Sequence, residues 1–192
     1  MRNERIRIMV EIALAVALAA ALNWFGVRLP WNVAGGKIAL DMLPIFVVAL
    51  RRGLLPGIVA GALWGVLDLA FEPFVVHPVQ LVLDYPLAFA LCGLAGLGAA
   101  SVQKALVEGR VSAAAVGAAG WSVVGGAARF GSHLVSGVIF FSANAPAGQP
   151  VWLYSALYNL SYIGPSIVAC AALAAILLPA LHRAVPVAVT RS

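Results

Sequence analysis

The stretch RFGSHLVSGVIFFSANAPAGQPVWLYSALYN, Arg129–Asn159, places a guanidinium, an imidazole, two tyrosine hydroxyls and an amide in an otherwise apolar chain. Such groups are costly in hydrocarbon: on insertion scales an arginine at the bilayer centre costs ~2.5–3.5 kcal/mol. They must therefore face protein or water. The segment reads as the end of one membrane helix, an uncharged Pro-, Gly- and Asn-rich external loop (SANAPAGQP, 142–150), and the start of the next helix. A concentration of hydrogen-bonding groups in that setting points to a small-molecule site inside a helical membrane protein.

Composition supports the membrane class. Of 192 residues 63% are hydrophobic and 10% charged, and the mean hydropathy is +1.01, well above the ~45–50% apolar content of soluble domains. The length suggests a single domain, residues 1–192. The net charge of +5 comes from basic residues set between apolar runs, which are topology signals rather than a nucleic-acid stripe. Cys92 and Cys170 sit within apolar runs and read as small buried hydrophobes. The N-terminal segment has basic flanks but carries Glu4 and Glu11 and no evident cleavage site, so it is expected to be a retained first helix.

A spanning helix needs ~20 apolar residues. Six candidate segments result: 8–28, 38–50, 54–71, 79–101, 111–141 and 151–180. The second, with Pro44 inside it, is too short to span alone and is expected to tilt, break or stop partway. Arg2, Arg5, Arg7, Arg51, Arg52, Lys104, Arg110, Arg183 and Arg191 fall on one side, against Arg28 and Lys37 on the other. This bias places both termini in the cytoplasm. The expected architecture is an all-α, multi-pass, six-transmembrane-helix bundle. No internal repeat is evident. Ala13, Ala17 and Ala21 recur at four-residue spacing, with Ala15 and Ala19 as a second small ridge, so another helix can approach closely, either from this chain or from a partner. Gly57 and Gly61 make a weaker pattern of the same kind.

Arg129 and His133, four residues apart, share a helix face. Arg129 can serve a ligand, pair with an internal carboxylate or snorkel outward; His133 reads as a ligand contact or a satisfied core histidine. Asp84 precedes Tyr85 and Pro86, and Pro86 cannot donate to the carbonyl four residues back, so the helix is opened beside the carboxylate. That carboxylate is protonated, paired with a cation such as Arg129, or reserved for an amino-bearing or cationic ligand. Asp41 is read as a cap for the short second helix, and Asp68 and Glu72 as weak candidates. Tyr154 and Tyr158 share a face, whereas Asn159 lies roughly 140° from Tyr154, so a pocket holding both requires a broad face or a bend. Trp31 and Trp152 suit either an interfacial belt or a stacking surface. His77, His133 and His182 lack partners at metal-ligand spacing, and no phosphate-binding GxxxxGK[ST] loop occurs. Ser132 and Ser136 near His133 have no orienting carboxylate close in sequence, which leaves an intramembrane hydrolase a remote alternative. No cofactor, metal or catalytic residue is expected.

Three ordered stretches carry a family resemblance: GGKIALDMLPIFVVALRRGLLPGIVAGALWG (35–65), HPVQLVLDYPLAFALCGLAG (77–96) and ARFGSHLVSGVIFFSANAPAGQPVWLYSALYN (128–159). The chain resembles the thiamine-specific substrate-binding S-components of energy-coupling factor (ECF) transporters. The resemblance implies a six-helix cell-membrane subunit, not an enzyme, that captures thiamine near the outer face. It also implies a transmembrane coupling protein and two cytoplasmic ATPase subunits as partners. Carried over by position, the ligand residues are Asp84, where some members have glutamate, Tyr85, Arg129 in place of lysine, His133, Phe141 where some have tryptophan, Tyr154, Asn159 and Trp31. Ala13, Ala17 and Ala21 match the family's docking ridge for the coupling protein. The alternative is a solitary ion-coupled transporter, in which Asp84 or His133 would cycle protons.

Overall fold

The computed structural model describes residues 2–31 and 35–186. Among them the chain is almost wholly helical: α1 (Arg2–Trp24), α2 (Met42–Arg52), α3 (Leu54–Phe71), α4 (Pro78–Asp84), α5 (Pro86–Cys92), a 3-10 segment (Gly93–Gly98), α6 (Ala99–Val107), α7 (Val111–Phe140) and α8 (Val151–Ala184). An isolated antiparallel bridge, Val27 to Ile38, closes the base of the first loop. Among the described residues five helices are long and apolar enough to cross a membrane, counting Pro78–Val107 as one bent rod. The chain is therefore a multi-pass helical membrane protein. α2, at 11 residues, extends only about 16 Å and cannot span. It is instead the most deeply packed element, with Met42, Ile45, Phe46, Ala49 and Leu50 fully buried.

Small residues decide where the rods meet. In a bilayer there is no water to drive helices together, so van der Waals fit does. Gly57, Gly61 and Gly65 form a stripe on α3 against which the bent rod lies backbone to backbone: a Cβ on Gly61 would sit 2.0 Å from the Phe89 carbonyl oxygen, and one on Gly65 2.4 Å from that of Tyr85. Apart from Arg129, the buried face of α7 is likewise small, with Ala114, Ala118, Ser122, Gly125, Gly126, Ser132, Ser136 and Gly137. The candidate span 79–101 breaks at Tyr85, where Pro86 is expected to open it, and it also tightens to 3-10 at GLAGLG, which the sequence does not lead one to expect; there Gly93 and Gly96 abut the α3 backbone and Gly98 abuts the Trp121 ring.

At one end Arg52 donates from Nε to Glu11 of α1 (2.8 Å) and also pairs with Glu4, while Arg51 donates to the Val185 carbonyl after α8 (3.1 Å). Both ends of the described chain thus gather at the α2–α3 corner, where Gly53 takes φ +96°, a left-handed turn that favours glycine. Arg191, counted with the cytoplasmic charges, lies outside the described residues. On α1 the two alanine ridges separate: Ala15 and Ala19 are buried against the chain's own core, whereas Ala13, Ala17 and Ala21 are exposed.

Gly61→Ala should lower stability by about 3 kcal/mol, because the new methyl meets a carbonyl rather than a movable side chain. Gly120→Ala, with open space at its Cβ, should not. Thermal unfolding in detergent distinguishes them, and equal melting temperatures would refute the backbone contact.

Candidate functional site

Opposite the α2–α3 corner, the ends of α1, α3, α7 and α8, the α4–α5 break and the first loop enclose a cavity of about 390 Å³. This lies in the 300–1,000 Å³ range of small-molecule sites. Asp84, Tyr85, Arg129, His133, Phe141, Tyr154 and Asn159 all line it. Trp31 does not; it is 61% exposed on the first loop, as is Trp152 at the start of α8.

The break at Asp84-Tyr85-Pro86 forms as the proline requires: α4 ends at Asp84, Tyr85 adopts φ −114° and ψ −88°, and α5 starts at Pro86. The Asp84 carboxylate is held from two helices. Gln80 Nε2 donates to Oδ2 (2.7 Å), Ser136 Oγ donates to the same oxygen (2.9 Å), and His133 Nδ1 lies 3.1 Å from Oδ1. Its basic neighbour is therefore the histidine of α7 rather than Arg129. With Nδ1 turned to the carboxylate, the buried Nε2, which has no partner among the described residues, is left as an acceptor. Ser136 gives its proton to Asp84 rather than to the imidazole, so no serine–histidine nucleophile is assembled.

Tyr85 is committed to structure. Its hydroxyl accepts from the Phe74 amide (2.8 Å) and donates to the Glu72 carbonyl (3.0 Å). Gln80, 1% exposed, also grips this loop, donating to the Phe74 carbonyl (3.1 Å) and accepting from the Val76 amide (3.1 Å). Phe74 is thereby fixed as a wall and stacks on Phe141 with centroids 6.0 Å apart.

Tyr154, Tyr158 and Tyr162 form an aromatic ladder along α8, with spacings of 6.0 and 6.1 Å. Tyr162 donates to Asn159 Oδ1 (2.7 Å), and Asn159 Nδ2 donates to the Ser155 carbonyl (2.9 Å). Tyr158 reaches over to the Gly35 carbonyl of the first loop (2.8 Å). The broad polar face that Tyr154 and Asn159 require is thus filled by two further tyrosines, which sequence reasoning did not place in the site although their four-residue repeat was visible.

Arg129 is 8% exposed, with its guanidinium carbon 4.0 Å from the Phe89 ring centroid and Nη1 3.5 Å from Asp41 Oδ1. Asp41 makes no side-chain cap to α2, correcting the capping assignment: a buried guanidinium needs a counter-charge more than a helix end needs an acceptor. Nearer the mouth, Glu72 binds both Lys37 and Arg28 (2.8 Å each). Asp68 accepts from Asn23 Nδ2 (3.0 Å). Both acids line the cavity, against their weak standing in the sequence. Among the described residues no group of three His, Cys, Asp or Glu side chains could hold a metal ion.

A carboxylate and an amide carbonyl at one end, aromatic faces along the walls and further acids opposite suit a flat, amino-bearing heterocycle. The fold and cavity define a multi-pass helical membrane protein built around a cavity of small-molecule size. The chain belongs to the thiamine transporter protein family (Thia_YuaJ), whose model matches residues 9–185. It is 38% identical over 164 residues to the thiamine transporter ThiT of Bacillus subtilis (strain 168), covering 85% of each chain. It is 39% identical over 166 residues to ThiT of Lacticaseibacillus paracasei, covering 82% of this chain and 80% of that one. A solved structure of ThiT from Listeria monocytogenes superposes with a TM-score of 0.78 at 29% identity, over 96% and 97% of the two chains.

Removing the guanidinium strands a buried carboxylate. Arg129→Met should therefore cost about 3–5 kcal/mol of stability, and adding Asp41→Asn should recover much of it. Melting curves of the single and double variants test this; an unshifted single variant would contradict the pairing.

Proposed function

We propose that this chain is the thiamine-binding S-component of an ECF-type transporter, lodged in the cell membrane with both termini cytoplasmic and acting without enzymatic chemistry of its own. The reading rests chiefly on the convergence of Asp84, His133, Phe141, Tyr154 and Asn159 on one cavity in a chain of the thiamine transporter family. Thiamine carries an aminopyrimidine, a cationic thiazolium and a hydroxyethyl tail. Asp84 accepts from the pyrimidine amino group, and Asn159 Oδ1 and Tyr154 lie beside it as further polar partners. His133 and Phe141 offer the faces between which the rings lie. Arg129, tied to Asp41, serves the alcohol end rather than the cationic ring. Tyr85 contributes by fixing the Phe74 wall.

Transport then requires energy from elsewhere, since the sequence contains no phosphate-binding loop. A transmembrane coupling protein and two cytoplasmic ATPases supply it, and the exposed Ala13, Ala17 and Ala21 ridge on α1 is the docking surface for the coupling protein. Its small side chains let a partner helix approach closely.

Calorimetric titration with thiamine should give saturable binding, and Asp84→Ala or Asn159→Ala should weaken it at least about tenfold, a loss of ~1.4 kcal/mol or more. Unchanged affinity in both variants would refute the site. Vesicles containing this chain should take up thiamine only when the coupling protein and ATPases are present; uptake driven by an ion gradient with this chain alone would favour a solitary secondary transporter. Ala17→Trp should abolish assembly with the coupling protein while thiamine affinity stays within about twofold, and an intact complex would remove α1 as the docking surface.

A further inference from the structure

Four carboxylates and three permanent cations line the cavity: Asp41, Asp68, Glu72 and Asp84 against Arg28, Lys37 and Arg129. The residues of the first loop that are not described, Asn32, Val33 and Ala34, carry no charge. Three of the acids have a basic partner. Glu72 has Arg28 and Lys37, Asp41 has Arg129, and Asp84 has His133. Asp68 is different: among the described residues its side-chain partner is the neutral amide of Asn23, which donates to Oδ1. The other oxygen, Oδ2, makes no hydrogen bond or ion pair to the described residues.

A carboxylate in a membrane protein that lacks a counter-charge is held at a cost. Asn23, 5% exposed, supplies one hydrogen bond and no charge. With His133 neutral and Asp68 ionised, the cavity lining carries one negative charge in excess; Asp84 then also lacks a cation but is held by Gln80, Ser136 and His133, whereas Asp68 has the single bond from Asn23. A ligand bearing a single fixed positive charge would balance it.

We infer that Asp68 is the counter-ion that makes this site select a cationic ring over an uncharged one of the same shape. The inference rests on the thiamine reading and deepens it: Asp84 and Asn159 recognise the aminopyrimidine, and Asp68 recognises the charge of the thiazolium. Shape and hydrogen bonding at the pyrimidine end cannot make this distinction. A positive charge buried near a carboxylate at low effective dielectric can. Asn23 is the positioning residue that holds the Asp68 side chain toward the cavity.

The test compares thiamine with its uncharged thiophene isostere, by calorimetry on the full chain in detergent at fixed pH and ionic strength. The wild type should bind thiamine at least about tenfold more tightly than the isostere. Asp68→Asn, nearly isosteric and still able to accept from Asn23, should weaken thiamine about tenfold while changing the isostere by less than about threefold, so the preference collapses. Asp68→Glu should retain a preference for the charged ligand. Equal losses for both ligands in Asp68→Asn would mean a shape role and overturn the inference, as would an undiminished preference. Should Asp68→Asn not fold, the wild type alone decides, because equal affinity for the two ligands overturns the assignment. Failure of the wild type to bind thiamine at all would instead refute the thiamine reading on which the inference stands.

Discussion

The Asp84 carboxylate, gripped by Gln80 and Ser136 and paired with His133, is the contact on which the cavity depends. It exists because Pro86 interrupts the helix directly after Tyr85 and leaves a turn that side chains must complete. In water the freed groups would be solvated. Within the membrane they need protein partners, and the chain supplies them from three directions. Gln80 and Tyr85 tie the 72–76 loop to the break, Ser132 donates to the Leu83 carbonyl (2.6 Å), and Ser136 and His133 hold the acid from α7. The same contacts that satisfy the broken backbone therefore also fix a wall of the site.

The charges follow one logic along the bundle. The described cations that lie deep in it are answered by acids from other segments: Arg129 by Asp41, Lys37 by Glu72, and Arg51 and Arg52 by Glu11. These pairs pin helices that glycine and alanine contacts have already brought close. They also divide the molecule functionally. The pairs at the α2–α3 corner hold the ends of the described chain together, whereas those around the cavity leave it one positive charge short of balance when His133 is neutral and Asp68 ionised.

The apolar runs made the class of fold legible, because hydrocarbon imposes length and polarity limits that a single sequence displays directly. Pro86 marked the broken helix, and the short second segment was recognised as unable to span. What was not legible depended on contacts between distant segments. Nothing near Asp41 in sequence shows that its partner is Arg129, so a local cap was the natural expectation. Nothing near Arg129 shows that its counter-charge is Asp41 rather than Asp84. The 3-10 turn at GLAGLG reflects the backbones of α3 and the Trp121 ring rather than any local propensity. Gln80 was more accessible: four residues before Asp84, it lies on the same face and can reach the acid. Trp31, carried over from the family resemblance to the first loop, lies off the cavity, because a match of loop position says little about which way the loop turns.

The α4–α5 break, α7 and α8 are proposed to form the thiamine site together. A structure of this chain determined with thiamine bound tests this most directly. The account requires the pyrimidine amino group within hydrogen-bond distance of Asp84, about 3 Å, and the ring against His133 or Phe141. Thiamine bound elsewhere in the bundle, or in this cavity with its pyrimidine turned away from Asp84 and Asn159, would contradict it.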